Sequence, residues 1–231
     1  PEQPAEPVAP TEPEKPQPQQ NLQLYIICTG SGVNLRSGAG SGYKAVASAE
    51  KATSYAVAEK TGNWYCVYYR GKKVYLSATY AREFTLEKSD NAAVERVLAE
   101  AYKLLGTPYV FGAVRLHDGA GNFQRGFTVN AFDCSSLTQY VFYLGANKLL
   151  GTTTRLQVKE GKSVKKSELS RGDCIYFTNA SRYYNTDTER VGHVAIYLGN
   201  DYILHTSSDY ARIEKLTAAR KKYYIEARRF V

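Results

Sequence analysis

The sequence Phe132-Asp133-Cys134-Ser135-Ser136 stands at the start of a predicted amphipathic helix. Apolar residues follow it at helical spacing, and Gly145 supplies a predicted stop. Cys134 then lies in the first turn, where unpaired N–H groups and the helix dipole favour a thiolate and lower the thiol pKa. Cys134 is therefore a candidate nucleophile, the alternative being a small buried apolar residue. The apolar positions of this helix are Leu137, Tyr140, Val141 and Leu144.

Two of the three histidines lie in adjacent strand-like runs, 192–198 and 202–206, separated by Gly199-Asn200-Asp201. This pattern predicts a hairpin. His193 and His205 then come opposite or nearly opposite on one face of it. A nucleophile needs a base, and the base needs an orienting group, so we predict that His193 is the base and His205 orients it. The alternative for each histidine is a structural role.

Four motifs, in order, resemble those of the NlpC/P60 family of cell-wall cysteine peptidases. They are Leu105–Gly112, Asp133–Leu137, Arg171–Phe177 and Gly192–Ile196 with His205. The resemblance covers roughly residues 90 to 231. It implies a papain-like α+β fold, with helices followed by an antiparallel sheet, in which Cys134, His193 and His205 are catalytic. It also implies that the Tyr109 hydroxyl helps to stabilise the oxyanion; a half-buried structural tyrosine is the alternative.

Three positions depart from the family pattern. Phe111 stands where the family usually has Trp, and Ser136 stands where it usually has Gly. The stretch 152–157 resembles the family's Arg/Thr/Ser/Gln-containing segment, with Thr152 where an Arg is common. By this resemblance Thr154 is a candidate substrate contact.

The residues that flank the nucleophile are further candidates for substrate binding. We predict that the Asp133 carboxylate pairs with the free ammonium of a stem peptide and that the Ser135 hydroxyl hydrogen-bonds to it. In the alternative, Asp133 caps the helix and Ser135 solvates its first turn.

The first half of the chain has two parts. Residues 1–21 hold seven of the eight prolines and almost nothing apolar, which predicts a disordered, polyproline-like tether. Residues 22–86 contain short β-prone runs separated by Gly-rich turns, which predict a small barrel or sandwich. Their order resembles the bacterial SH3-like (SH3b) domain. Trp64 is a candidate substrate contact among the aromatic side chains of this domain.

Residues 87–231 are predicted to form the peptidase domain. A helix over 87–106, with Ser89 or Asp90 as N-cap and Gly106 as C-cap, should pack under the catalytic helix. The polar, Gly-rich segment 113–130 is expected to be an exposed loop near the cleft, with His117 at the surface and without chemistry. A meandering antiparallel sheet is expected from the strands 173–178, 193–198, 202–206, 212–216 and 223–230.

Charge and composition limit the partners. The net charge of +8 suits nucleic acid, anionic lipid or an anionic wall polymer on electrostatics alone. No nucleic-acid-binding motif, zinc-ligand spacing, phosphate-binding loop or membrane-spanning run is found in the sequence, so we expect no nucleic acid, metal, cofactor or transmembrane segment. Wall polymer is the preferred partner, and we expect a monomer. Cys28 and Cys66 could pair within the small barrel, but we expect them not to, because nothing in their spacing marks a disulfide framework.

The hypothesis that follows is a secreted or cell-wall-associated cysteine peptidase of peptidoglycan stem peptides. The chain starts at Pro1 and contains no Met, so we expect a processed product whose address signal is gone. By the family resemblance, the bond cleaved is the one between γ-D-glutamate and the diamino acid. The alternatives are a non-catalytic wall-binding or adhesion module, and an amidase or acyltransferase that uses the same Cys/His site.

Overall fold

The structure, a computed structural model, describes residues 21–231, so the predicted tether lies outside the described residues except for Asn21. The N-terminal half of the described chain consists of β1 (Leu22–Cys28), β2 (Val33–Arg36), β3 (Ala45–Ala49), β4 (Ser54–Thr61), β5 (Trp64–Tyr69), β6 (Lys72–Ser77) and β7 (Ala81–Glu87). The rest contains α1 (Ala92–Lys103), α2 (Cys134–Ala146), α3 (Thr154–Gln157), β8 (Lys162–Val164), β9 (Cys174–Phe177), β10 (His193–Gly199), β11 (Tyr202–Ser207), β12 (Tyr210–Lys215), α4 (Ala218–Lys221) and β13 (Tyr224–Arg229). A mixed α+β fold preceded by a region of strands is therefore confirmed; the domain boundaries at 21 and 86 stay a prediction.

The small β region contains the six predicted strands and one that the sequence analysis missed. Strand β7 pairs antiparallel with β1 along its whole length, from Leu22 opposite Glu87 to Cys28 opposite Ala81. Because residue 87 belongs to this strand, the following helix starts later than predicted. Its N-cap is Asn91, whose side chain accepts a 2.9 Å hydrogen bond from the Ala93 N–H. The predicted caps Ser89 and Asp90 are therefore wrong.

Helix α1 packs against α2, as predicted, and Gly145 is the point of close approach. A Cβ atom on Gly145 would lie 2.4 Å from the backbone of Val97, so a larger residue would force the helices apart. Gly145 does not end the helix. The end comes at Asn147, which adopts a left-handed conformation with φ 51°. Leu144 is 47% exposed and does not belong to the predicted apolar face.

The sheet of the C-terminal half is antiparallel, with strand order β12-β11-β10-β9-β13-β8. The predicted meander is wrong in its last step, because β13 crosses the sheet to pair with β9 rather than with β12. The outer edge of β12 is already occupied by β4 of the barrel, through the bridge between Ile213 and Ser54. One continuous sheet therefore runs from the C-terminal half into the N-terminal β region.

Arg171 ties the two halves together from a buried position. Its guanidinium donates to the hydroxyl of Tyr25 in β1 at 2.9 Å and to that of Tyr102 in α1 at 2.8 Å. It also pairs with Glu95 at 2.6 Å. Since a buried charge is tolerated only when it is paired and hydrogen-bonded, these partners must stay in place together.

The turn between β5 and β6 also reaches across to the helices. The Arg70 N–H donates to the Leu105 carbonyl at 2.8 Å, and its Nε donates to the Gly106 carbonyl at 2.8 Å. These bonds satisfy two backbone carbonyl groups in the turn that follows the end of α1. The segment that leads to Tyr109 is thus positioned by the barrel.

The segment 113–130 folds back onto α2, which corrects the placement of His117. The imidazole is fully buried, its Nδ1 accepts from the Gly119 N–H at 3.0 Å, and the ring lies 5.6 Å from the ring of Tyr143. His117 is a core histidine and not a surface one. All four cysteines are buried and free, including Cys28 and Cys66.

Candidate active site

Cys134 is the first residue of α2, and Asp133 caps this helix. The Asp133 carboxylate accepts from the Ser136 N–H at 2.8 Å, while the Ser136 hydroxyl accepts from the Asp133 N–H at 2.9 Å. This reciprocal capping box fixes the first turn and therefore the direction of the Cys134 side chain. The predicted position of Cys134 at the helix start is confirmed.

The expectation of a lowered Cys134 pKa is wrong for the free protein. Burial raises the pKa of the thiol to about 12, and the Asp133 carboxylate acts in the same direction. The N–H groups of Val194 and Ser135 favour the thiolate but do not outweigh burial. Desolvation penalises the charged form more than the helix terminus stabilises it. Cys134 is thus a thiol at rest, and a nucleophilic role would require a base to take its proton.

The two predicted histidines contact each other at the open end of the hairpin β10–β11, away from its turn. Ile196 pairs with Leu204 in this hairpin, which places His193 and His205 diagonally on one face. The Nε2 atom of His193 lies 2.8 Å from Nδ1 of His205. The Val194 amide that acts on the Cys134 sulfur belongs to the residue after His193, so the nucleophile lies against the start of β10.

Glu214, which the sequence analysis missed, lies behind His205. Its Oε1 is 3.1 Å from Nε2 of His205, off the line of a full hydrogen bond. An anionic acceptor there favours the tautomer with the proton on Nε2, so that Nδ1 of His205 accepts. His193 must then donate through Nε2, which leaves its own Nδ1 free. A free Nδ1 is what His193 needs to take a proton from a thiol.

Both histidines are held neutral. The pKa of His193 lies well below its usual value because of burial, and the nearby His205 and Arg220 act in the same direction. Burial also lowers the pKa of His205, while Glu214 opposes this shift. The Glu214 carboxyl is partly buried, yet its contact with His205 and the charge of Arg220, 2.6 Å away, hold its pKa at about 2. A neutral His193 can act as a general base.

Tyr109 lies beside the nucleophile in a cleft of about 350 Å³. Its N–H donates to the Asp209 carbonyl at 2.9 Å, and its backbone forms a bridge with Phe132, so the backbone at Tyr109 is fixed from both sides. Partial burial raises the pKa of its hydroxyl, as do Cys134 and Asp133. The hydroxyl therefore stays protonated and can donate. The other residues that line the cleft include Phe111, Ser135, Thr154, Arg155, Asn179, Arg182 and Gly192.

Asp133, one of the predicted substrate contacts, is 3% exposed and has an internal partner. Arg115, from the segment 113–130, donates through Nη2 to Asp133 at 2.7 Å and to Ser135 at 3.1 Å. Its Nε donates to the carbonyl of Thr152 at 2.8 Å. A guanidinium thus enters the cleft beside the position where the family commonly has an arginine side chain. Direct contact of Asp133 and Ser135 with substrate stays a prediction.

The remaining candidates fall on different sides of the molecule. Thr154 is the first residue of α3, is nearly buried and lines the cleft. Gln157, three residues on, donates to the carbonyl of Ser135 at 2.9 Å and so holds α3 against α2. Trp64 starts β5 in the barrel and is not among the residues that line the cleft at Cys134. A substrate role for Trp64 or Thr154 stays a prediction.

The NlpC/P60 family profile matches residues 106–229, more than half of the chain. The chain belongs to the NlpC/P60 family. The profile of the bacterial SH3 domain matches residues 31–81. Both resemblances inferred from the sequence are therefore confirmed.

The relatives of this NlpC/P60 chain include two curated Bacillus proteins. Gamma-DL-glutamyl hydrolase of Bacillus subtilis (strain 168) is 32% identical over 146 residues, which are 63% of this chain and 30% of that protein. Peptidoglycan DL-endopeptidase CwlO of Bacillus licheniformis is 32% identical over 122 residues, 52% of this chain and 24% of that protein. The chain spans less than a third of the length of either. A solved NLP/P60 structure from Staphylococcus aureus is 30% identical, with a TM-score of 0.48 over 66% of this chain and 46% of that one.

Two further observations concern residues 21–231 only. In this range no group of three His, Cys, Asp or Glu side chains is arranged to hold a metal ion. None of the helices described there is both long and apolar enough to cross a bilayer.

The sequence analysis missed Arg115, Glu214 and Arg220. Glu214 carried a weak signal, since it lies in a predicted strand two residues after Arg212, which pairs with His205. Side chains two apart share a face of a strand. Arg115 and Arg220 come from a loop and a one-turn helix, where no periodic pattern points to a site.

Proposed function

We propose that this chain is a cysteine peptidase that hydrolyses peptidoglycan stem peptides at the bond between γ-D-glutamate and the diamino acid. The observation that carries the proposal is Cys134 at the start of α2, set against the buried pair His193–His205 in an NlpC/P60 fold. The names of the two Bacillus relatives agree with this substrate class. The cell wall is the location that fits such a substrate, and a monomeric state stays a prediction.

The reaction begins with proton transfer from the Cys134 thiol to Nδ1 of His193. The sulfur attacks the carbonyl carbon of the γ-amide, and the oxyanion is stabilised by the Tyr109 hydroxyl and the N–H groups at the start of α2. His193 then returns the proton to the leaving amine of the diamino acid. A water molecule, deprotonated by His193, hydrolyses the thioester and frees Cys134.

The two alternative functions are a non-catalytic wall-binding module and an amidase or acyltransferase. A binding module does not require an oriented base, whereas the contacts from Glu214 through His205 to Nε2 of His193 favour a His193 tautomer whose Nδ1 can accept a proton. The bacterial SH3-like region argues against the transferase, because such a region fits an enzyme that acts on the cell wall better than one that acts on another substrate.

Digestion of defined muropeptides, followed by mass spectrometry, tests the proposal. We expect products cut after γ-D-glutamate with the wild-type protein and none with Cys134→Ala. Binding without any cleavage would support the non-catalytic module. Products joined to an added amine or acyl acceptor would support the transferase.

A further inference from the structure

The Asp133 carboxylate has no acceptor position left for a substrate. Its Oδ1 accepts from the Ser136 N–H at 2.8 Å and from the Ser135 hydroxyl at 3.0 Å. Its Oδ2 accepts from the Gly112 N–H at 3.1 Å and from Arg115 at 2.7 Å. A carboxylate offers about four lone-pair positions. An incoming ammonium would have to displace Arg115 to reach it.

The Arg115 guanidinium donates most, but not all, of its N–H groups to neighbouring residues. It donates to the carbonyls of Thr152 and Ala113 and, through Nη2, to Asp133 and Ser135. These bonds use four of the five N–H groups of a guanidinium. The fifth, on Nη1, has no hydrogen-bond partner among residues 21–231, and the side chain is 19% exposed where it lines the cleft at Cys134. Arg115 therefore brings a cationic donor to the cleft.

The net charge of the side chains around the cleft also favours an anionic substrate group. Arg155 and Arg182 line the cleft together with Arg115, and Glu189 lies 3.4 Å from each of the first two. The cleft therefore has three guanidinium groups and two carboxylates, those of Asp133 and Glu189, which leaves a net positive charge. The remaining positive charge disfavours an ammonium and favours a carboxylate, with which arginine forms its strongest hydrogen bonds.

We propose that Arg115 is a specificity-determining residue that occupies the ammonium position on Asp133 and receives a carboxylate of the substrate. The carboxylate that fits is the free α-carboxylate that a γ-linked glutamate leaves beside the scissile bond. Stems whose L-Ala nitrogen is acylated, as in a stem still attached to other material, are then accepted. Asp133 acts on the substrate through Arg115 and not by direct contact. This inference rests on the proposed function.

Binding to the inactive Cys134→Ala protein tests the inference separately from turnover. Three synthetic stems are compared by calorimetry: one with a free amine, one N-acetylated, and one N-acetylated with the glutamate α-carboxylate amidated. We expect the first two to bind within about threefold of each other and the amidated stem about tenfold more weakly, the scale of one charged hydrogen bond. Binding of the free-amine stem tenfold or more tighter than the acetylated stem would overturn the inference.

The second step adds Arg115→Ala to Cys134→Ala. Loss of the guanidinium should abolish discrimination between carboxylate and amide and create a preference of about tenfold for the free amine, because Asp133 becomes available. Arg125→Ala, an exposed arginine of the same segment, is the matched control and should keep the pattern of the parent. An unchanged pattern in Arg115→Ala would also overturn the inference. If that variant does not fold, the three affinities of Cys134→Ala alone decide.

Turnover by the wild-type protein distinguishes failure of the inference from failure of the proposed function. Absence of cleavage of all three stems would count against the peptidase. The order of the three affinities would still decide the role of Arg115.

Discussion

The nucleophile side and the base side of the site each combine a catalytic group with a carboxylate and an arginine, but the two carboxylates are used differently. On the nucleophile side Asp133 is 3% exposed, and Arg115 and three other donors fill it. Its charge adds to the effect of burial that keeps Cys134 a thiol. The Asp133 carboxylate is therefore closed to solvent and to new ligands, while Arg115 still reaches the cleft.

On the base side the carboxylate is open. The Glu214 side chain is 30% exposed, and a single oxygen contacts both Arg220 at 2.6 Å and His205 at 3.1 Å. Arg220 and Glu214 therefore shift the pKa of His205 in opposite directions. The comparison shows two uses of an arginine–carboxylate pair. Where donors fill both carboxylate oxygens, as in Asp133, the pair fixes the geometry of the helix start. Where one oxygen is shared with a histidine, as in Glu214, the pair adjusts the pKa of that histidine.

The largest effect is expected at the nucleophile. Cys134→Ala should lower kcat by more than about 10⁴-fold because no other group can supply the sulfur, while the melting temperature should change little. Among the cysteines Cys134 is the most exposed, at 8%, so a thiol reagent should label it first. Cys66→Ala, in the barrel, is the control and should keep its turnover. Half of the wild-type rate in Cys134→Ala would rule out the mechanism.

The base side should respond in a graded order. His193→Ala should cost about 10²–10⁴-fold in kcat/KM, the usual value of a general base. His205→Asn and His205→Gln should cost less, because an amide can still accept the hydrogen bond from Nε2 of His193. Steady-state kinetics on one defined stem peptide measures all three. The opposite ranking would mean that the roles of the two histidines are exchanged.

Removing the Glu214 charge should have a smaller effect. Glu214→Gln should lower kcat/KM by about tenfold, the scale of one hydrogen bond to a charged group. Since Glu214 raises the His205 pKa, its loss should also move the acid limb of the kcat/KM profile to lower pH. Arg220→Ala should move the limb to higher pH, because Arg220 lowers the pKa of both histidines. Two shifts in the same direction would contradict the shared-oxygen arrangement.

Glu226→Gln provides the matched control for Glu214→Gln. Glu226 lies in strand β13, is similarly exposed at 34%, and also pairs with an arginine, Arg228, at 3.0 Å. Among residues 21–231, Glu226 forms no hydrogen bond or ion pair with either histidine. Its substitution should leave both the rate and the acid limb in place.

The smallest effect concerns stability below neutral pH. The folded pKa of His205 is below its usual value of ~6.5, so at lower pH the unfolded chain binds a proton that the folded chain does not. The free energy of unfolding therefore decreases as pH falls below ~6.5. Each such histidine contributes at most about 1.4 kcal/mol of this loss per pH unit. Cys134 stays a thiol in both states there and contributes nothing. Denaturant unfolding at pH 7.5 and 5.5 should show a smaller loss in His205→Asn; an equal loss would refute the assignment.

Features with a local cause were predictable from the sequence. The hairpin that carries His193 and His205 follows from two apolar runs and the turn residues between them, and Asn200 and Asp201 do adopt positive φ. The start of α2 follows from Asp133 as a cap. Both depend on residues within a few positions of each other.

Features with a non-local cause were not predictable. The position of β13 depends on its pairing with β9 and β8, which joins residues far apart in the chain. The Cys134 pKa depends on how deeply α2 is buried, which the helix-terminus argument does not contain. Arg115 reaches Asp133 from a Gly-rich segment without periodicity. In each case contacts between residues far apart in the chain, and not the local pattern, decided the outcome.

The Arg171 cluster has a consequence for how this protein can be recombined. Arg171 comes from the peptidase, Tyr25 from the barrel and Glu95 from the helix between them, and all three share one buried site. A hybrid that carries a foreign barrel without a hydroxyl at position 25 would leave part of that buried charge without a partner. We expect an exchanged barrel to give a stable protein only when the donor also supplies a hydroxyl at position 25, so the two halves have to be exchanged as a matched pair.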